Sequence, residues 1–243
     1  MNPFRQTISC PVLIVILIIS LSACESKKSE PNSAVTSAPV ADIRENEDKE
    51  ESLPLHLRLA FMTGHVEAGL ELYRLGELEM AAPHLLHPIS ETHKAERLGL
   101  QKLGLDVVSF VAVSAALEAK RPAYEIEPLL SQAETNLKML ANRAGGNSSE
   151  IIIFLLNMII EEYSIAVTKG SITDVGEYQD AYGFHSVARF HANKLPETIR
   201  SEVVSSLDIM KELWVDGPRP TSVPTSEQVM VSAASNIINI IEK

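Results

Sequence analysis

The sequence predicts an all-α protein, an antiparallel bundle of about seven to nine helices over residues 53–243. Apolar residues recur every three or four positions, and no segment sustains the strict alternation of a strand. Glycine, proline and capping residues fall at the ends of these periodic stretches. Finally, the apolar run Ile151–Ile160 (IIIFLLNMII) is too short to cross a bilayer and suits a central core helix.

Leu55, Leu59, Met62, Val66, Leu70 and Tyr73 mark the first helix, which Gly76 ends. Residues 77–87 form a second, short helix stopped by Pro88. Further helices are expected over about 91–103, 105–120, 122–143, 149–169, 174–193, 196–215 and 225–242. Gly145-Gly146 separates two of them, and Asn147 with Glu150 forms a candidate capping box. Gly170 closes the next, and Asp174 with Glu177 opens its successor in the same way. Pro196 is placed for a first helical turn, and Thr225 with Gln228 for the start of the last helix. Val203, Leu207, Met210 and Trp214 make an apolar seam. The hairpin around Leu75-Gly76 looks like one tetratricopeptide unit, but no second copy follows, so a single helical hairpin is the better reading.

The first 52 residues are of another kind. Arg5 precedes the apolar run Val12–Ile19, and Ser22-Ala23 then precede Cys24, which is the layout of a secretory signal. The string Leu21-Ser22-Ala23-Cys24 resembles the bacterial lipobox. The resemblance implies cleavage before Cys24, lipid on its sulfur, and anchoring to a membrane at the periplasmic face of the cell envelope. Glu25, in place of an inner-membrane retention aspartate, points to the outer membrane. Residues 24–52 are rich in Ser, Pro and charge and read as a flexible tether, leaving 1–23 as signal and 53–243 as the helical domain.

Composition removes several function classes. The chain of 243 residues carries a formal charge of −11, so nucleic acid is not an expected partner. With two cysteines, one in the signal and one committed to lipid, thiol catalysis and thiolate metal sites are excluded. No G-x-S-x-G, phosphate loop or H-E-x-x-H is present, and no nucleophile–base pair suggests an enzyme.

Imidazole and carboxylate remain as strong ligands. Of seven histidines, four lie between residues 65 and 93. In an antiparallel hairpin turning at Leu75-Gly76, positions equidistant from the turn face each other. His65 then falls opposite His84 and His87, which share one helix face. With Glu67 or Glu71 completing the shell, the cluster is a candidate site for iron, copper or zinc. Helix termination by His84 and His87, and a half-buried His65, is the competing explanation. A second set, Glu161, Glu162, Glu177 and Asp180, flanks the Gly170 turn. Its acids suit a cation, but they also suit the first turn of a helix.

This last stretch, LLNMIIEEYSIAVTKGSITDVGEYQDAYGF, is similar to the extracytoplasmic helical segment of bacterial Ftr1-type iron permeases. The shared features are an acidic-x-Tyr helix end, a Val-x-x-Gly turn and a Glu-Tyr helix start. The Arg-Glu-x-x-Glu iron motif of that family is absent, Arg44-Glu45-Asn46-Glu47-Asp48 departing at its last position, and so are its membrane helices. The resemblance implies an envelope module that assists metal uptake, with a metal-uptake component as partner, rather than a transporter. The sequence thus points to a lipid-anchored, non-catalytic, metal-binding helical protein. An envelope interaction scaffold that binds no metal is the rival reading. Replacing Cys24 by Ser is expected to abolish incorporation of labelled palmitate in cells. A mutant that still carries the label would refute the lipobox reading.

Overall fold

The computed structural model describes residues 53–90, 97 and 99–243. The expected signal, Cys24 and the tether lie outside the described residues, as do His93 and most of the first half of the helix expected over 91–103. The described chain is all-α, as expected. Its helices are α1 (Leu55–Arg74), α2 (Leu78–Leu86), α3 (Leu100–Leu103), α4 (Val107–Glu118), α5 (Ala123–Ala144), α6 (Ser148–Ala166), α7 (Val175–Ala192), α8 (Glu197–Lys211) and α9 (Glu227–Ile241). A 3-10 turn, His87–Ile89, continues α2 beyond its end.

The ends follow from local chemistry. At the end of α1, Gly76 takes φ +85°, and the Glu77 amide donates back to the Leu72 carbonyl, closing the helix tightly before α2. Asn147 Oδ1 accepts from the amides of Ser149 and Glu150, and Asp174 Oδ1 from those of Gly176 and Glu177. Glu150 does not reach back to complete a box; its carboxylate pairs instead with His56 at 3.1 Å. The last helix begins after Ser226, and Thr225 serves the loop before it. The Thr225 hydroxyl donates to the Leu213 carbonyl at 2.7 Å, and its own carbonyl accepts from the Tyr163 hydroxyl at 2.8 Å.

The helix expected to run to residue 169 stops at Ala166, and Val167–Thr168 (β1) pairs antiparallel with Ser171–Ile172 (β2). Lys169 and Gly170, at φ +54° and +77°, form the two-residue turn. Positive φ at both central positions gives the twist that such a hairpin needs. Gly170 therefore turns a hairpin instead of capping a helix.

Two apolar cores form, and α1 contributes to both. Leu59, Met62, Val66 and Leu70 pack with α2, α4 and α5, burying Leu85, Phe110, Val113, Ile126 and Leu130. Leu57 and Ala60 join α6–α9, where Leu155, Ile159, Tyr163, Phe184, Leu207 and Trp214 are buried. A helix that is apolar on two faces is one that sits between layers. Each fully buried Leu, Ile or Phe in these cores stabilises by roughly 1.5–3 kcal/mol.

The contact between α1 and α7 is unusually close. A β-carbon added to Gly183 would lie 2.1 Å from the Gly64 carbonyl oxygen and 2.9 Å from Ala68, and one added to Gly64 would lie 2.1 Å from the Phe184 ring. In an ordinary helix, Gly to Ala stabilises by about 1 kcal/mol. Here Gly183→Ala is expected to destabilise by about 1–3 kcal/mol through overpacking, read as a lower urea midpoint by far-ultraviolet circular dichroism. An unchanged or higher midpoint would contradict the contact.

Candidate functional site

The same close contact brings α7 against His65 on α1. Asp180, one turn before Gly183, accepts at Oδ1 from His65 Nδ1 at 2.7 Å and from His84 Nδ1 at 2.8 Å. The other nitrogen of His84, Nε2, lies 2.8 Å from Gln179 Oε1. Gln179 Nε2 donates to Met80 Sδ at 3.2 Å, which fixes the amide with its oxygen toward the imidazole. With that orientation both nitrogens of His84 face acceptors, an arrangement that favours the imidazolium. All four polar residues of this network are buried.

The electrostatics agree with that geometry. Burial alone would raise the Asp180 carboxyl, but the hydrogen bonds and charges of His65 and His84 outweigh it and hold the group well below the usual carboxylate range. Burial likewise opposes charge on His84, and Asp180, followed by Gln179, overcomes it and raises the imidazole. A buried carboxylate shared by two imidazoles is thus stabilised by its partners.

Aromatic rings complete the floor of the site. The His87 ring stacks on that of His65 with centroids 3.7 Å apart and planes 15° from parallel. Phe61 and Phe184 meet His65 edge-on, at 4.6 and 5.2 Å. Above these residues opens a cleft of about 550 Å³, bordered also by Glu79, Glu162 and Glu177. Burial, a hydrogen bond with Glu177, and the charges of Glu177 and Asp180 push the Glu162 carboxyl up to about 9.

The three histidines singled out by the hairpin register, His65, His84 and His87, lie together. One ligand atom each from His65, His84 and Asp180 lies within 4.8 Å of the others. Donors around a tetrahedral ion at about 2.1 Å would sit about 3.4 Å apart, a spacing within the 4.8 Å span of this cluster. His87 holds the His65 ring by its face, and two stacked rings direct their in-plane lone pairs side by side rather than at one point. Glu67 and Glu71 do not join the cluster. Glu67 borders a separate cavity with Glu134 and Lys138, where burial and then Glu134 raise its pKa. Glu71 is half-buried and does not border the cleft. The carboxylate at the histidines is Asp180, and the second acidic set contributes Glu162 and Glu177 to the same cleft, while Glu161 is exposed. His185 is a core residue whose Nε2 donates to the Leu207 carbonyl at 2.8 Å, and burial drives its pKa down to about 4.

Residues 146–243 match the iron permease-associated 4-helix bundle domain. The matched region is α6–α9, the four helices around the second core, and covers less than half of the chain. It links this part of the protein to helical bundles associated with iron uptake, and it includes the stretch similar to Ftr1-type permeases. No match was found among curated proteins or among solved structures. Asp180, Gln179, Glu162 and Glu177 lie inside the matched region, and His65, His84 and His87 lie before it.

The Asp180–His84 pair makes stability depend on pH. The folded pKa of His84 is raised from 6.5, so its contribution is complete below about 6.5 and is lost as pH rises through the higher folded value. The folded pKa of Asp180 is depressed from 3.8, so its contribution is present above about 4 and is lost as pH falls. Asp180→Asn is expected to cost about 3 kcal/mol or more between about pH 4 and 6.5, and less once His84 deprotonates. Urea unfolding across pH checks this; a penalty that grows toward alkaline pH would refute it.

Proposed function

We propose that the protein is a lipid-anchored, non-catalytic envelope protein whose helical domain binds a transition-metal ion as cargo for an iron-type uptake system. The observation that carries this reading is the convergence of His65, His84 and Asp180 at the floor of an acidic cleft. Mixed imidazole and carboxylate donors suit iron, zinc or copper ions. The match of α6–α9 to an iron permease-associated bundle favours iron and a metal-uptake partner. Glu162 and Glu177, at the rim, are placed to attract an incoming cation and to complete its shell.

Binding requires His65 and His84 as neutral imidazoles, so the ion competes with the protons that now bridge to Asp180. That competition suits cargo, which must be released, better than a permanent structural metal. The rival is a scaffold without metal. It draws on the groove between α8 and α9, where Ile209 and Val229 are exposed.

Titration calorimetry of the full chain with ferrous, zinc and cupric ions tests the metal reading. Single His65→Ala, His84→Ala and Asp180→Ala changes are expected to weaken binding by about tenfold or more, with double changes adding little. Binding should weaken as pH falls, and the loss should begin above pH 6.5, because the folded pKa of His84 is raised and its proton competes with the ion. Glu67→Gln should leave it unchanged. Wild-type protein that shows no saturable binding of any of the three ions would overturn the reading.

A further inference from the structure

His84 presents its two ring nitrogens to different neighbours. Nδ1 is 2.8 Å from Asp180 Oδ1, on the side shared with His65. Nε2 is 2.8 Å from Gln179 Oε1, on the other side of the ring. A carboxylate on one imidazole nitrogen is the usual companion of a metal on the other, because it fixes the tautomer, orients the ring and strengthens the remaining donor. By that rule Nε2 is the metal-facing nitrogen, and the Asp180 contact can stay in place while an ion binds there.

A single amide stands at Nε2. Gln179 Oε1 faces the imidazole, and Gln179 Nε2 donates to Met80 Sδ at 3.2 Å. The nitrogen of His84 and the sulfur of Met80 thus converge on one side chain. Met80 precedes His84 by four residues on α2, so both project from the same face of that helix. Together with Gln179 they border the cleft of about 550 Å³, which gives an ion its path from solvent. Rotating Gln179 outward leaves nitrogen and sulfur facing the space the amide held, and the flexible methionine side chain can close on an ion placed there.

The donor chemistry selects the ion. A thioether is uncharged and soft, and it favours cuprous copper. Zinc takes thiolate, imidazole and carboxylate donors and is almost always four-coordinate in structural sites. We propose that Met80 Sδ and His84 Nε2 form a site for cuprous copper at the Gln179 edge of the cleft. This site goes beyond the cargo reading, since it uses the nitrogen of His84 turned away from Asp180 and takes a softer ion. Binding changes no oxidation state: the ion enters as Cu(I), and any proton on Nε2 leaves to solvent.

The full chain carrying Cys10→Ser and Cys24→Ser has no thiol to compete for copper. Anaerobic competition for Cu(I) against bicinchoninate, beside zinc calorimetry, tests the site in that protein. Met80→Leu nearly conserves side-chain volume. It is expected to weaken Cu(I) by about tenfold or more while moving zinc affinity by less than about twofold. X-ray absorption of the copper-loaded protein should show sulfur bonded to copper, and none in Met80→Leu. Unchanged Cu(I) affinity in Met80→Leu, or copper without a sulfur ligand, overturns the proposal. So does an equal loss for copper and zinc, because Met80 would then act only through packing. Zinc binding without Cu(I) binding overturns the copper site and leaves the cargo reading standing. Sulfur-bound Cu(I) in a protein that binds neither zinc nor ferrous ion supports the copper site and removes the iron-type cargo.

Discussion

The approach of α1 and α7 at Gly64 and Gly183 sets the rest of the molecule. A methyl group at either glycine would collide with the opposite helix. Without it, the helices meet nearly backbone to backbone, and the residues one position or one turn away fall into hydrogen-bonding range. His65 follows Gly64, and Asp180 precedes Gly183 by three. Their 2.7 Å contact is therefore a consequence of helix packing, and so is the burial that makes the charge on Asp180 depend on its partners. The short connection at Gly76 then folds α2 back along α1 and delivers His84 to the same oxygen.

The site is divided between two parts of the chain with different comparisons to known proteins. Helices α6–α9, which match an iron permease-associated bundle, supply oxygen donors: Asp180, Gln179, Glu162 and Glu177. The preceding helices α1 and α2 supply the imidazoles. Oxygen donors alone are undiscriminating toward hard cations, whereas nitrogen donors add preference for later transition metals. On the metal-cargo reading, the α1–α2 hairpin would thus change which ions the carboxylates hold. It also provides the aromatic floor, since Phe61 and His87 both come from it.

Much of this arrangement is legible in the sequence, for reasons that differ by element. Helix ends are local: Asn147, Asp174 and Gly76 each act within a few residues, and the structure places them as their chemistry demands. The meeting of His65 with His84 and His87 is nearly local too, because a tight antiparallel hairpin fixes which positions oppose. Glu67 and Glu71 fail on helix geometry. Two residues and six residues beyond His65 are about 200° and 240° around the axis, on another face. The residues that do share the His65 face, Ala68 and Gly69, are small and give room to α2 and α7. Asp180 lies 96 residues from His84 in sequence, and only the crossing of α1 with α7 brings it there, which no periodicity reveals. The β1–β2 hairpin escaped because Val167 to Ile172 offers two residues per strand, too few to alternate.

That small hairpin nonetheless shapes the cleft. A helical continuation to residue 169 would have carried the chain away before it could turn. Instead the two strands reverse it within a few residues, and Thr173 and Asp174 return their amides to the Ala166 carbonyl, at 2.7 and 3.3 Å. The last turn of α6 is thereby set beside the first turn of α7, so the Glu162 carboxyl meets that of Glu177 at the rim. Two carboxyl groups so close cannot both ionise cheaply in a half-buried cleft. Burial and the neighbouring charges of Glu177 and Asp180 accordingly raise the Glu162 carboxyl. On the metal-cargo reading proposed above, a cation at the rim would lower that cost for both carboxylates at once. On that reading the rim would relieve its repulsion through an arriving ion, while the His65 and His84 nitrogens at the floor would tell one ion from another.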